Sequence, residues 1–177
     1  MSTFSRIAMV SFLVLAVPTN LASAGDADRR EAKAHAHGHA RANVVVEGQR
    51  LHIELEAPGA DIVGFEHAAK TDAEKKAETD ARTKLQNTAN VVEIPAAAGC
   101  KTEKSSVELH REGAHGEFHV SYQFTCSAPA KLDPLTFTYF ATFKRAEELV
   151  VSIITDKGAL QTDANPTQPA VRLGRLL

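Results

Sequence analysis

The sequence predicts an α+β domain: a mostly antiparallel β-sheet built from hairpins, with one main helix packed on it. Three observations lead there. Apolar residues alternate with polar ones at Leu51, Ile53 and Leu55, and again at Phe118, Val120, Tyr122 and Phe124, which is the period of a half-buried strand. Short glycine-bearing connections at Gly48 and Gly113 turn neighbouring strands into hairpins and so into antiparallel pairs. One long segment, opened by Thr71-Asp72-Ala73-Glu74, carries a helix-start signature instead.

Residues 1–24 stand apart from this pattern. Arg6 supplies a positive start, residues 7–17 an apolar core, and Ala22-Ser23-Ala24 a small-x-small cleavage site, the three parts of a secretory signal peptide cut after Ala24. The apolar run is shorter than the roughly 20 residues of a membrane span. An exported protein without stable membrane insertion is expected. Residues 25–39 then form a histidine-bearing leader, and residues 40–177 a single domain. With 20 Lys and Arg against 22 Asp and Glu, the mixed charge argues against a nucleic-acid partner. The absence of Trp argues against an aromatic-lined ligand groove.

The first hairpin is expected from strands over 40–47 and 50–56. Pro58-Gly59 ends it, and residues 61–68 form a compact apolar segment closing on Glu66-His67. Thr71 and Glu74 make a capping box from which a helix should run to about Thr88, with Ala69, Ala73, Ala77, Ala81 and Leu85 as a stripe of small residues set against the sheet. A short apolar run, 91–94, ends at Pro95. Strands over 105–110 and 117–126 form the second hairpin around Gly113. Residues 135–144 and 149–155 read as two further strands, for about six in all, and Pro166 and Pro169 mark an extended tail.

Cys100 and Cys126 are the only cysteines. In an exported chain a pair reads as a disulfide, with a metal-binding thiolate pair as the alternative. Both lie equally far from Gly113, so a simple antiparallel register sets them opposite one another. That register also puts Val107 and Leu109 on the face of His119, whereas Phe118, Val120, Tyr122 and Phe124 hold the other parity. A one-residue β-bulge between the loop and the cysteines reconciles the two.

Metal chemistry enters through the histidines. His35, His37 and His39 alternate with small residues, so an extended backbone points all three one way. Imidazole suits zinc, copper and nickel. On the polar face of the second hairpin Glu117 and His119 project together, and such a pair can share a metal, or the carboxylate can orient the ring. His110 and His115 at the loop are placed to join them. For each of these strands, as for His52 beside Glu54, a solvated face with incidental histidines is the competing reading. Met1 and Met9 are the only methionines and fall within the signal peptide, which leaves a copper(I) site without soft ligands if the cysteines pair. No His-Glu-x-x-His helix, nucleophile elbow or phosphate loop occurs, so no enzyme is expected.

The leader His35-Ala36-His37-Gly38, the strand 43–48, and the segment Val63-Gly64-Phe65-Glu66-His67-Ala68 together resemble the ZrgA family of zinc-regulated periplasmic proteins. So do Pro95-Ala96-Ala97-Ala98-Gly99-Cys100 and the strand 117–126. The resemblance covers nearly all of the mature chain, in order. It implies a periplasmic protein that binds zinc and contributes to its uptake, passing zinc to, or buffering it for, the components of a zinc ABC transporter. Carried over, His35 and His37 match the leader motif, His67 the Gly-Phe-Glu-His motif and His119 the Glu-Phe-His strand. These four are the expected zinc ligands, with His39 as the leader's alternate. Glu66, Glu117 and His115 either orient the rings or supply a further ligand. Copper(II) and nickel are the less favoured cargoes. Family members often carry a His/Asp/Glu-rich insertion in the second hairpin; here it is reduced to residues 111–116, which argues against a high-capacity store. The competing function is a cell-envelope interaction protein whose leader binds metal incidentally. It differs in predicting no shared site between leader and fold.

Overall fold

A computed structural model describes residues 38–177. The strands, in chain order, are β1 (His39–Glu47), β2 (Arg50–Pro58), β3 (Cys100–Glu112), β4 (His115–Cys126), β5 (Leu135–Thr136), β6 (Glu148–Thr155), β7 (Gly158–Ala164) and β8 (Ala170–Val171). The helices are α1 (Gly59–Ile62), α2 (Asp72–Gln86) and α3 (Tyr139–Thr142). Six strands form one sheet in the order β3-β4-β2-β1-β6-β7, while β5 and β8 pair separately. Among the described residues no helix is long and apolar enough to cross a membrane.

The alternation read from sequence sets the two faces. Val44, Leu51, Ile53, Leu55, Phe118, Val120, Tyr122, Leu149, Val151 and Ile153 are buried in one core, and the residues between them form a wet face. α2 lies over the apolar side. Its Thr71–Glu74 capping box forms as expected. Its C-terminal half buries Ala81 and Leu85, and the Tyr122 hydroxyl donates to the Leu85 carbonyl. The small-residue stripe is shorter than expected. Ala73 is exposed and Ala77 half-exposed, so the helix approaches the sheet only at its C-terminal end.

Cys100 and Cys126 face each other in the β3–β4 ladder and are bonded. The register shifts between Thr102 and Lys104, leaving Glu103 as the extra residue. Beyond the shift Val107 faces Val120 and Leu109 faces Phe118, which restores both to the apolar side as the parity conflict required.

Two expectations are corrected. Residues 135–144 do not form a strand: β5 is two residues long and α3 follows. Tyr139, Phe140 and Phe143 are all buried, a helical i, i+1, i+4 pattern that overrides the alternation. The turn is held down where Thr138 and Thr142 donate to the carbonyls of Ala89 and Asn90. The sheet has the expected six strands, but β7 takes the place given to residues 135–144. β7 has mostly exposed residues and forms because the Asp156-Lys157 turn folds it back on β6. β1 joins β6 in parallel, which makes the sheet mixed although antiparallel pairs dominate.

Candidate metal centre

Three pieces of chain meet at one end of the sheet: the connection after β2, the tip of the β3–β4 hairpin and the backbone at Gly38. Glycine permits the contact. A Cβ on Gly116 would stand 2.7 Å from the Glu66 carbonyl oxygen, and one on Gly59 would stand 2.7 Å from that of Phe65, closer than real side-chain atoms approach. Residue 66 therefore lies directly on the hairpin and residue 65 on the start of α1. Glu66 reaches the His115 ring, with its Oε2 at 2.7 Å from Nδ1, and its side chain is only 12% exposed.

Two clefts flank that pair. The first, about 450 Å³, is lined by Glu66, His110, His115, Glu117 and His119. The second, about 600 Å³, is lined by Gly38, Asp61, Phe65, Glu66, His67 and His115. In the first, the His119 Nε2–H donates to Glu117 at 2.9 Å and His110 Nε2–H to Glu108 at 3.1 Å. The two rings lie 4.3 Å apart between centroids. Cross-strand register explains the grouping: Glu56 and Glu108 flank His119, and His110 faces Glu117, so carboxylates and imidazoles alternate across the wet face. In a neutral imidazole that donates from one nitrogen, the other carries the lone pair a metal requires. A carboxylate on the donating side fixes the ring and raises its basicity, as in carboxylate–histidine–zinc arrangements.

The expected ligands divide between the clefts. His119 lines the first. His67 lines the second, where its ring stacks on Phe65 at 5.0 Å, its Nδ1–H donates to the Ala68 carbonyl at 3.0 Å, and its Nε2 lies 3.7 Å from Glu74. Glu66 and His115 line both, and Glu117 the first. His39 opens β1 with Nδ1 3.6 Å from Glu148 and lines neither cleft. His35 and His37 lie outside the described residues, one peptide bond in the case of His37 from Gly38. His110, which the sequence sets at the loop beside Glu117 and His119 but outside the family motifs, stands in the cluster. The bulge is the signal for it, because only the shifted register puts His110 on the face of His119. Among the described residues no group of three or more His, Cys, Asp or Glu is already arranged to hold a metal ion.

Residues 34–173 match the family model described as ZrgA family zinc uptake protein. Comparison with curated proteins finds no match.

Proposed function

The chain belongs to the ZrgA family of zinc uptake proteins, and from that premise we propose that it captures zinc in the periplasm at the hairpin end of the sheet. Three or four ligands hold the zinc, drawn from the rings of His119, His110 and His115 of the fold and of His35 and His37 of the leader. Glu117 and Glu66 orient these rings or complete the ligand set, and His67 and His39 are the remaining candidate ligands. The loaded protein passes zinc to, or buffers it for, the components of a zinc transporter. The signal peptide directs export and is removed by cleavage after Ala24.

The observation that carries this reading is the grouping of His110, His115, His119, Glu66 and Glu117 around one cleft. Nitrogen and oxygen donors in that mixture suit zinc. Copper(II) and nickel take the same donors, whereas copper(I) lacks soft partners because the cysteines are bonded. A full set of four protein ligands would retain zinc, and three would leave a position for transfer.

A competitive zinc titration of the mature, disulfide-intact protein tests it. The double variant His110→Ala/His119→Ala should bind zinc at least about a hundredfold more weakly than wild type, as loss of two ligands demands. Equal affinity in both would remove the cleft from the site, leave the leader as a loose chelator and bring the envelope-interaction reading forward.

A further inference from the structure

The six-stranded sheet ends in β3 on one side and β7 on the other, and the two edges are built differently. An open edge presents unpaired N–H and C=O groups, and proteins guard it with charge, a bulge or a covering element. β3 has all three. Glu103 bulges out of its ladder, and Lys101, Glu103 and Lys104 are exposed along it. α2 covers it, with Arg82 donating to the Val107 carbonyl at 3.1 Å and the Ser105 hydroxyl to the Gln86 carbonyl at 3.0 Å. β7 is unguarded among the described residues. Its pairing with β6 runs unbroken from Gly158 to Ala164, it contains no Lys, Arg or Pro, and Asp163 is its one charge. The large apolar side chains exposed among the described residues, Ile154 at 52% and Leu160 at 42%, both stand on this β6–β7 hairpin.

The edge is also self-complementary. Asp156 and Lys157 make a two-residue turn, so Thr155 and Gly158 close the hairpin as a hydrogen-bonded pair. Counting on by twos, Leu160, Thr162 and Ala164 bond to β6, while Ala159, Gln161 and Asp163 turn their backbone groups to the open side. Among the described residues no backbone group from outside the sheet bonds these three. An identical strand laid antiparallel, with a two-fold axis at Leu160, satisfies them. Ala159 then exchanges backbone bonds with Gln161 of the second copy, and Gln161 with its Ala159. Leu160 stands against Leu160 as a non-hydrogen-bonded pair, the kind in which side chains come closest. Lys157 stands against Asp163, twice by symmetry. Lys157 donates to the Leu177 carbonyl within its own chain, and its ammonium has further protons for a carboxylate. Moving the axis to Gln161 keeps the backbone bonds but sets Asp163 against Ala159 and Leu160 against Thr162, which loses both matches.

We infer that a second copy of this chain pairs with β7, joining two six-stranded sheets into one. The contact is isologous. Residues directly opposed across antiparallel strands share a face, so both wet faces look the same way. The cleft of His110 and His119 lies at the β3–β4 end, far from β7 in the strand order. The pairing therefore leaves both clefts open and presents them on one side of the dimer. It does not depend on what those clefts bind.

Sedimentation velocity on the mature, disulfide-intact protein tests the pairing, in separate runs with zinc and with chelator, over an about hundredfold range of concentration. Wild type should pass from monomer to dimer in both, with nothing larger, because a two-fold contact closes. Leu160→Lys sets like charges at the axis and should weaken association at least about tenfold. Lys157→Asp and Asp163→Lys should each weaken it by about tenfold, since each acts at two pairs, and Lys157→Asp/Asp163→Lys should restore it. Gln161→Pro removes an outward N–H without touching the β6 ladder and should also weaken it. Thermal melts show which variants fold; if Leu160→Lys does not, Gln161→Pro and the charge exchange carry the comparison. Wild type that stays monomeric overturns the pairing. So does a dimer unaffected by Leu160→Lys and Gln161→Pro, or a double charge variant no stronger than its singles. A dimer that forms only with zinc overturns it too, since metal-bound histidines would then hold the copies together.

Discussion

Glu74 shows how one side chain joins local structure to the candidate site. Its carboxylate accepts from the N–H groups of Thr71 at 2.8 Å and Lys70 at 2.7 Å, and these backbone bonds, Thr71 first, hold its pKa below the usual carboxylate range, with a small contribution from nearby His67. A depressed folded pKa contributes stability that is present above the unfolded value, near 4.3, and is lost as pH falls through the folded value. The first turn of α2 should therefore loosen on acidification below about pH 4. Glu74→Gln keeps the capping geometry and should abolish that dependence; amide exchange at residues 71–75 against pH reads it, and an unchanged profile in the variant would contradict the assignment. The capping box was legible in sequence because all its parts lie within four residues. The placements of Asp61 and Glu66 were not, since each bonds a partner that only the tertiary fold supplies: the Gly38 N–H for Asp61, the His115 ring for Glu66.

The β3–β4 hairpin carries the clearest consequence at the level of elements. Glu103 is the extra residue of the bulge, so deleting it should leave a regular ladder with every other pair retained. Deleting Leu109 shortens the strand equally but inverts the residues between it and the bulge, turning Val107 to water and Glu108 toward the apolar side. The first deletion should change stability by less than about 1 kcal/mol, and the second should cost about 2–5 kcal/mol through lost burial and a desolvated carboxylate. Thermal melts of the two proteins check this, and similar losses would show that the bulge is not where the extra residue is absorbed. The bulge was legible because two alternations of opposite parity had to be reconciled with one cysteine pairing. The α3 turn was not, because Phe137, Tyr139 and Phe143 also satisfy a period of two, and Phe140 alone marked the helical alternative. β7 escaped notice because its residues carry no buried stripe; its partner β6 defines it.

For the whole molecule, the core and the candidate site are separable. The buried residues lie on one face of the sheet and in the elements that cover it, while the histidines lie on the wet face and at the hairpin end. Removing zinc should consequently leave amide protection at Ile53, Val120 and Tyr122 unchanged and lower it at residues 59–68 and 112–116. Hydrogen exchange with and without a chelator measures this, and global loss of protection would make zinc part of the fold itself. The α+β class and both hairpins could be read from the chain because each is a local pattern. The pairing of β1 with β6 has no local signature, since parallel neighbours need not be close in sequence.

That pairing also governs the order in which the molecule can complete itself. β1 lies inside the sheet, yet the strand that closes its second side begins about a hundred residues later, a separation that slows closure. The β1–β2 and β3–β4 hairpins can assemble, and the cysteines meet, while one flank of β1 still presents unpaired backbone groups. The strand order thus allows the histidine-bearing face to form before the second side of β1 is closed. Glu147 and Glu148, whose N–H groups bond the Gly38 carbonyl, stand at the start of the closing strand, β6. Until β6 is in place the Gly38 carbonyl lacks its two donors, and the open flank of β1 is the edge most exposed to pairing with a neighbouring chain.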